Sequence, residues 1–176
     1  MASTREAMLD SAITLFRQRG VAATSMRDIV EHGQAPRGSI YHHFPGGKEE
    51  LAREATQRAG DFIGSLLTGL ANDPAEAIEK FIGFWRGALA SADFLDGCPI
   101  ASGALSDEAR DVAGAAFTSW EETLAAHIES KGVPVDRAES LATLAIASVE
   151  GALIMARAQR SDEPLRRVGQ ELAQLI

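Results

Sequence analysis

Apolar residues recur at every third or fourth position through nearly the whole chain, and no β-branched run alternates with period two. That pattern suits amphipathic helices and leaves no material for a sheet. The punctuation agrees. Ser3 with Glu6, and Ser25 with Asp28, have the spacing of capping boxes, in which a hydroxyl and a carboxylate satisfy free amides at a helix start. Gly20, Gly33-Gln34-Ala35, Pro45-Gly46-Gly47, Gly97-Cys98-Pro99 and Lys131-Gly132-Val133-Pro134 interrupt the helices. Asp73-Pro74-Ala75-Glu76 and Ser161-Asp162-Glu163-Pro164 open new ones, each with proline in its first turn. The expected fold is all-α, with about nine helices. The first three make a compact head over residues 1–47, and the rest, 48–176, a larger helical domain that begins with one long helix from Lys48 to about Leu70.

Bulk properties set the outer limits. A chain of 176 residues can bury a core without disulfides or metals. The single cysteine, Cys98, cannot form an internal disulfide; beside proline in an apolar stretch it reads either as a small buried residue or as a redox switch. The N-terminus carries Arg5 and Glu6 in place of an apolar signal segment, and no apolar run looks long enough to span a bilayer, so the cytoplasm is expected and no membrane partner. The net charge of −8 is unevenly spread. Residues 1–60 hold eight Arg and Lys against seven Asp and Glu, whereas residues 61–176 hold nine against eighteen. An acidic body repels phosphate, while a near-neutral head with local cations can approach it.

The stretch Thr24 to Lys48 carries the chemistry. It reads as two short helices joined by a turn containing glycine, the helix-turn-helix arrangement. Pro36 fits the first position of the second helix, with Ile40 and Phe44 on its inner side. A helix entering a major groove roughly 12 Å wide needs a small or polar outer face. Arg37, Gly38, Ser39, Tyr41 and His42 offer that face. Arg37 can read guanine or pair with phosphate, Gly38 lets the backbone approach, and Ser39, Tyr41 and His42 are neutral hydrogen-bonding groups. Tyr41, His42 and His43 also admit a plain helix-end packing role, the last of them most readily. Lys48 opens the next helix, where its charge and the free amides can hold one phosphate together.

These residues resemble the DNA-binding head of the TetR family. The shared features are Leu15-Phe16, Arg19-Gly20, Thr24-Ser25, Asp28-Ile29, Gly38, Tyr41-His42-His43-Phe44 and Lys48, spread over about residues 5–55. The resemblance implies a homodimeric repressor, an operator with two half-sites, and a variable C-terminal domain that binds a small-molecule effector. It implies that Thr24, Arg37, Gly38, Ser39, Tyr41, His42 and Lys48 face the DNA. Ala35-Pro36-Arg37-Gly38-Ser39, Phe44-Pro45-Gly46-Gly47-Lys48 and Gly97-Cys98-Pro99 further resemble the LmrA/YxaF-like subgroup, which implies a drug-like or aromatic effector. Two departures stand out. Gln34 occupies a turn position where many members have glycine, and Pro36 replaces the usual Ser or Thr cap.

The C-terminal part offers two further features. Phe62, Phe81, Trp85, Phe117 and Trp120 recur at helical spacing and can be cavity walls or plain core. Glu150 and Arg157 can be polar anchors or a solvated edge. The segment Leu141 to Ala158 is apolar on too many sides for one core, so a second copy is its simplest partner. Leu141, Ala145, Ser148, Ala152 and Met155, with Leu165 and Leu172 of the last helix, are the expected dimer contacts. No nucleophile–base signature, zinc-spaced cluster or phosphate loop appears, so neither an enzyme nor a cofactor is expected. The competing reading is a helical interaction module without specific DNA binding.

Overall fold

The computed structural model describes residues 4–36, 38–68 and 74–175. They form nine helices and no strand: α1 (Thr4–Arg19), α2 (Met26–His32), α3 (Ile40–His43), α4 (Gly47–Thr68), α5 (Pro74–Ser91), α6 (Pro99–Ala104), α7 (Arg110–Glu129), α8 (Val135–Gln159) and α9 (Glu163–Leu175). The all-α expectation holds. Ser3 and Asp73, read as helix caps, lie outside the described residues. The chain divides into two compact units, Met1–Asp61 with Cys98–Ala116, and Phe62–Gly97 with Phe117–Ile176.

The first unit is built around Met8, Leu15, Phe16, Ile29, Phe44 and Leu51, all buried. The capping box starts α2 as its spacing requires: Ser25 Oγ accepts from Asp28 N at 3.2 Å, and Asp28 Oδ2 accepts from Ser25 N at 2.8 Å. Ser25 Oγ also donates to Asp28 Oδ2 at 2.7 Å, and this bond first, then the one from Ser25 N, holds the Asp28 carboxyl below its usual range. The turn after α2 divides two duties between neighbours. Gly33 has an ordinary φ of −79°, but a Cβ there would lie 2.9 Å from Ser11 Oγ and 3.2 Å from Ile29 O. Gln34 takes the left-handed conformation, with φ of 49°. Space therefore requires the glycine, and its neighbour carries the strain.

Two elements differ from expectation. The helix assigned to start at Pro36 is four residues long, Ile40–His43; ahead of it, Ser39 N and Ser39 Oγ both donate to Pro36 O, at 2.9 and 2.7 Å. Gly38 and Ser39 form a turn, and the chain becomes helical at Ile40. The break at Gly97-Cys98-Pro99 conceals α6, with Cys98 as N-cap and Pro99 in its first turn. This short helix is central to the unit. Its Ser102 Oγ accepts from Val21 N at 3.1 Å, and a Cβ on Gly103 would lie 2.9 Å from the Thr56 methyl. Ion pairs Arg5–Glu54, Arg58–Glu6 and Arg53–Asp111 brace the outside.

The second unit packs α5, α8 and α9 closely, together with the ends of α4 and α7. A Cβ on Gly169 would lie 2.9 Å from Ile82 Cγ1, so this glycine sets how near α9 comes to α5. One face of α8, with Ala138, Leu141, Ala145, Val149, Ala152 and Ala156, is buried in the unit. Leu144, Ile154 and Met155 are exposed on another face. Helix α8 is long and apolar enough to cross a membrane by length and composition, contrary to the sequence expectation. It carries Glu139, Glu150 and Arg157 and buries its inner stripe against its own unit, as the core helix of a globular protein does.

Candidate DNA-binding face and ligand cavity

The first candidate site is the turn and α3. Ile40 and Phe44 point into the core of the first unit, with Phe44 fully buried under the Arg5 guanidinium, 4.8 Å from the ring centroid. Helical geometry then turns the intervening side chains outward. Tyr41 is 63% exposed, and His42 is exposed, its ring edge-on to His43 at 5.3 Å. Gly38 is exposed, and a Cβ there would meet nothing within 4 Å, so the backbone is open to close approach. Ser39 is half-buried, its hydroxyl donating to Pro36 O. Arg37 lies outside the described residues.

Two of the sequence-derived DNA residues sit differently from these. Thr24 is 1% exposed, and its hydroxyl donates to Gly20 O at 2.8 Å. That bond ties the end of the α1–α2 connection and makes Thr24 a positioning residue for α2. Lys48 lies in the first turn of α4, with its ammonium 3.2 Å from Glu108 Oε1 and 3.5 Å from Ala22 O. The Glu108 carboxyl is held below its usual range by a backbone amide and by Lys48. The cation expected to meet phosphate thus already has an anionic neighbour, which sequence spacing of sixty residues did not reveal.

The second candidate site is a cavity of about 380 Å³ within the second unit. Leu67, Ile78, Phe81, Ile82, Ile146 and Val149 supply most of its wall. Thr68, Thr123, Ser130 and His127 are its polar members. Of the five aromatics singled out in the sequence, Phe81 lines this cavity. Trp85 is buried beside it, with ring centroids 6.1 Å away from Phe81 and 5.1 Å from Phe84. Phe117 and Trp120 stack edge-on with each other at 5.4 Å, and Phe62 is exposed beside Phe84. Neither Glu150 nor Arg157 is on the wall. His127 is the residue that sequence reasoning missed; its position on the inner side of α7, in phase with Trp120 and Leu124, was the available signal.

The residues expected at a dimer interface fall into two sets. Leu141, Ala145, Ala152, Leu165 and Leu172 are buried inside their own unit, and Ala145 and Leu172 line the cavity. Ser148 and Met155 are accessible and lie in phase with Leu144, Gly151 and Ile154. The free apolar stripe of α8 is therefore rotated from the one expected.

Residues 8–55 match the model described as bacterial regulatory proteins, tetR family, and residues 74–171 match the C-terminal domain of LmrA/YxaF-like transcriptional regulators. An HTH-type transcriptional regulator of Mycobacterium tuberculosis is 39% identical over all of this chain and 95% of its own. The HTH-type regulator YxaF of Bacillus subtilis is 31% identical over 98% of this chain and 95% of its own. In three dimensions, the crystal structure of a TetR transcriptional regulator from Legionella pneumophila superimposes with a TM-score of 0.86, at 26% identity, over 100% of this chain and 98% of that one.

Proposed function

The chain belongs to the TetR family of bacterial transcriptional regulators, with a C-terminal domain of the LmrA/YxaF-like type, and from that premise we propose that it is a homodimeric repressor released from a palindromic operator by a small apolar effector. Residues 1–47 read the DNA in this proposal, and residues 48–176 hold the effector and the second copy. The observation that carries it is the pair of exposed rings, Tyr41 and His42, on a short helix whose first residue Ile40 and C-cap Phe44 are fixed in a core. Gly38 and Ser39 complete the approach to the bases, Arg37 and Lys48 serve phosphate or guanine, and Thr24 holds the framework.

Bound to DNA, two heads must sit about one helical turn apart, roughly 34–36 Å. The exposed α8 stripe of Leu144, Ser148, Gly151, Ile154 and Met155 is the surface proposed to join the copies, its small residues allowing close contact. Helix α4 is uninterrupted from Lys48 to Leu67 and Thr68, which line the cavity. An effector that binds better when the heads are spread shifts the population away from DNA. The test is a gel shift on DNA flanking the protein's own gene, with wild type and the Arg37→Ala/Tyr41→Ala variant. Saturable, sequence-specific binding lost in the variant is the expected result. Weak, salt-sensitive binding that ignores sequence and mutation refutes the operator assignment and favours the interaction-module reading.

A further inference from the structure

Glu50, Glu54 and Arg58 follow one another at four-residue spacing along α4, so they share one face of that helix. Each holds a different part of the first unit. Glu50 Oε2 accepts from Gly46 N at 2.7 Å, in the segment that leaves α3. Glu54 receives both ends of the Arg5 guanidinium, Nη1 on one carboxylate oxygen and Nη2 on the other. Arg58 reaches Glu6 and Asp10 of α1. The middle contact extends to α3 as well. The guanidinium that Glu54 grips lies over the Phe44 ring, 4.8 Å from its centroid. Phe44 is the C-cap of α3 and fully buried, and its amide donates to Ile40 O at 2.8 Å.

Three physical points give this stack a task. Helix α3 has four residues, too few for its own backbone bonds to hold its direction. Its aim depends on what grips its two ends, Ile40 in the core and Phe44 beneath Arg5. Arg5 also stands in the first turn of α1, where a cation opposes the helix dipole, so the position in α1 does not itself call for arginine. Finally, the contact uses what distinguishes arginine from lysine: a planar fork that meets a carboxylate at two points, and a flat face that rests on a ring. We infer that Arg5 is a positioning residue for DNA recognition: clamped by Glu54, it fixes the C-terminal end of α3 through Phe44 and so aims Tyr41 and His42. It acts through Phe44 rather than on the DNA. The Arg58 pairs join the same two helices, α1 and α4, and provide the comparison.

This inference rests on the DNA-binding reading, and two measurements keep their failures apart. Arg5→Ala, Arg5→Lys and Arg58→Ala are compared with wild type in the full-length protein. The first measurement needs no DNA: hydrogen exchange at the Phe44 amide, whose bond closes α3. Measured against the mid-α4 amides of the same sample, it should quicken about fivefold in Arg5→Ala, as expected for losing one partly exposed cation–π contact, and not at all in Arg58→Ala. The second is binding to the operator found by gel shift, over a salt series. Arg5→Ala should lose about fivefold in operator affinity and nothing on unrelated DNA, with the wild-type salt slope. Arg5→Lys keeps the charge without the fork or the flat face, so it should recover little of that loss. A salt slope smaller by about 0.9 in Arg5→Ala, restored by lysine, would make Arg5 a phosphate contact and overturn the inference. Unchanged Phe44 exchange in Arg5→Ala, equal quickening in Arg58→Ala, or unchanged operator affinity overturns it too. A wild type that finds no specific DNA sinks the operator reading and the role in recognition with it, while the exchange result still decides whether Arg5 clamps α3.

Discussion

The Lys48 ammonium lies 3.2 Å from the Glu108 carboxylate, and both side chains are about three-quarters removed from solvent. A phosphate approaching the first turn of α4 must share or displace that carboxylate. Replacing Glu108 by Gln removes the competitor and leaves Lys48 in place. DNA binding should tighten several-fold at low salt, and the slope of log affinity against log salt should steepen by about 0.9, the signature of one more neutralised phosphate. The lost ion pair should cost at most about 1 kcal/mol of stability. Filter binding or anisotropy over a salt series checks this; an unchanged slope would mean that Lys48 does not meet phosphate.

Adjacent residues in the α2–α3 turn should respond in opposite directions. Gln34 holds φ at 49°, a region that costs a residue with a Cβ roughly 1 kcal/mol or more, so Gln34→Gly should raise stability by up to about 1 kcal/mol. Gly33→Ala should lower it by about 1–3 kcal/mol, because the new Cβ would meet Ser11 Oγ at 2.9 Å and the Ile29 carbonyl at 3.2 Å. Denaturant unfolding of the two variants decides the matter. Stabilisation by Gly33→Ala would contradict the packing described for this turn.

How much of this was legible beforehand depended on the kind of signal. The capping box at Ser25 and Asp28 and the outward rings of α3 are local, and the sequence displays them directly. The turn's glycine was visible, but its reason was not: contact with Ser11 joins residues twenty-two positions apart. Helix α6 was hidden because Ile100, Ala101, Ser102 and Gly103 are small or apolar and show no polar stripe to set a phase. The same absence explains the rotated stripe on α8. A helix apolar on most sides does not state which side its neighbours take, and here Leu141, Ala145 and Ala152 turn inward while Leu144 and Ile154 stay outside. Residue type and helical spacing leave the aromatics open between cavity wall and plain core. Trp85, however, packs on Phe81 and Phe84, and the wall is mostly aliphatic.

Neighbours on α8 distinguish assembly from folding. Ile154 is 67% exposed and Leu153 is 2% exposed. Ile154→Lys should drive a dimer toward monomer and weaken operator binding while leaving the protomer's helical content intact. Leu153→Ala should instead destabilise the protomer by about 2–5 kcal/mol, the range for emptying a well-packed leucine site. Sedimentation velocity with circular dichroism separates the two effects. An Ile154→Lys protein that keeps the wild-type sedimentation coefficient would remove this stripe from the interface.

At the start of α9, Glu163 accepts from Arg166 at 2.6 and 2.8 Å and from Arg167 at 2.9 Å. Arg166 first, then Arg167, lower its carboxyl from an ordinary 4.5 to about 2. A carboxyl whose folded pKa is depressed contributes stability that is fully present above the unfolded value. That contribution falls as the pH drops toward the folded value, because protonating Glu163 gives up both arginines. The thermal midpoint of wild type should therefore exceed that of Glu163→Gln from neutral pH down to about pH 5. The gap should narrow steadily between about pH 4.5 and pH 3. The pair is exposed, so the gap is small and should shrink further in high salt, which is the electrostatic signature to look for. A gap that stays constant with pH would show that the glutamine variant differs through helix capping rather than through charge.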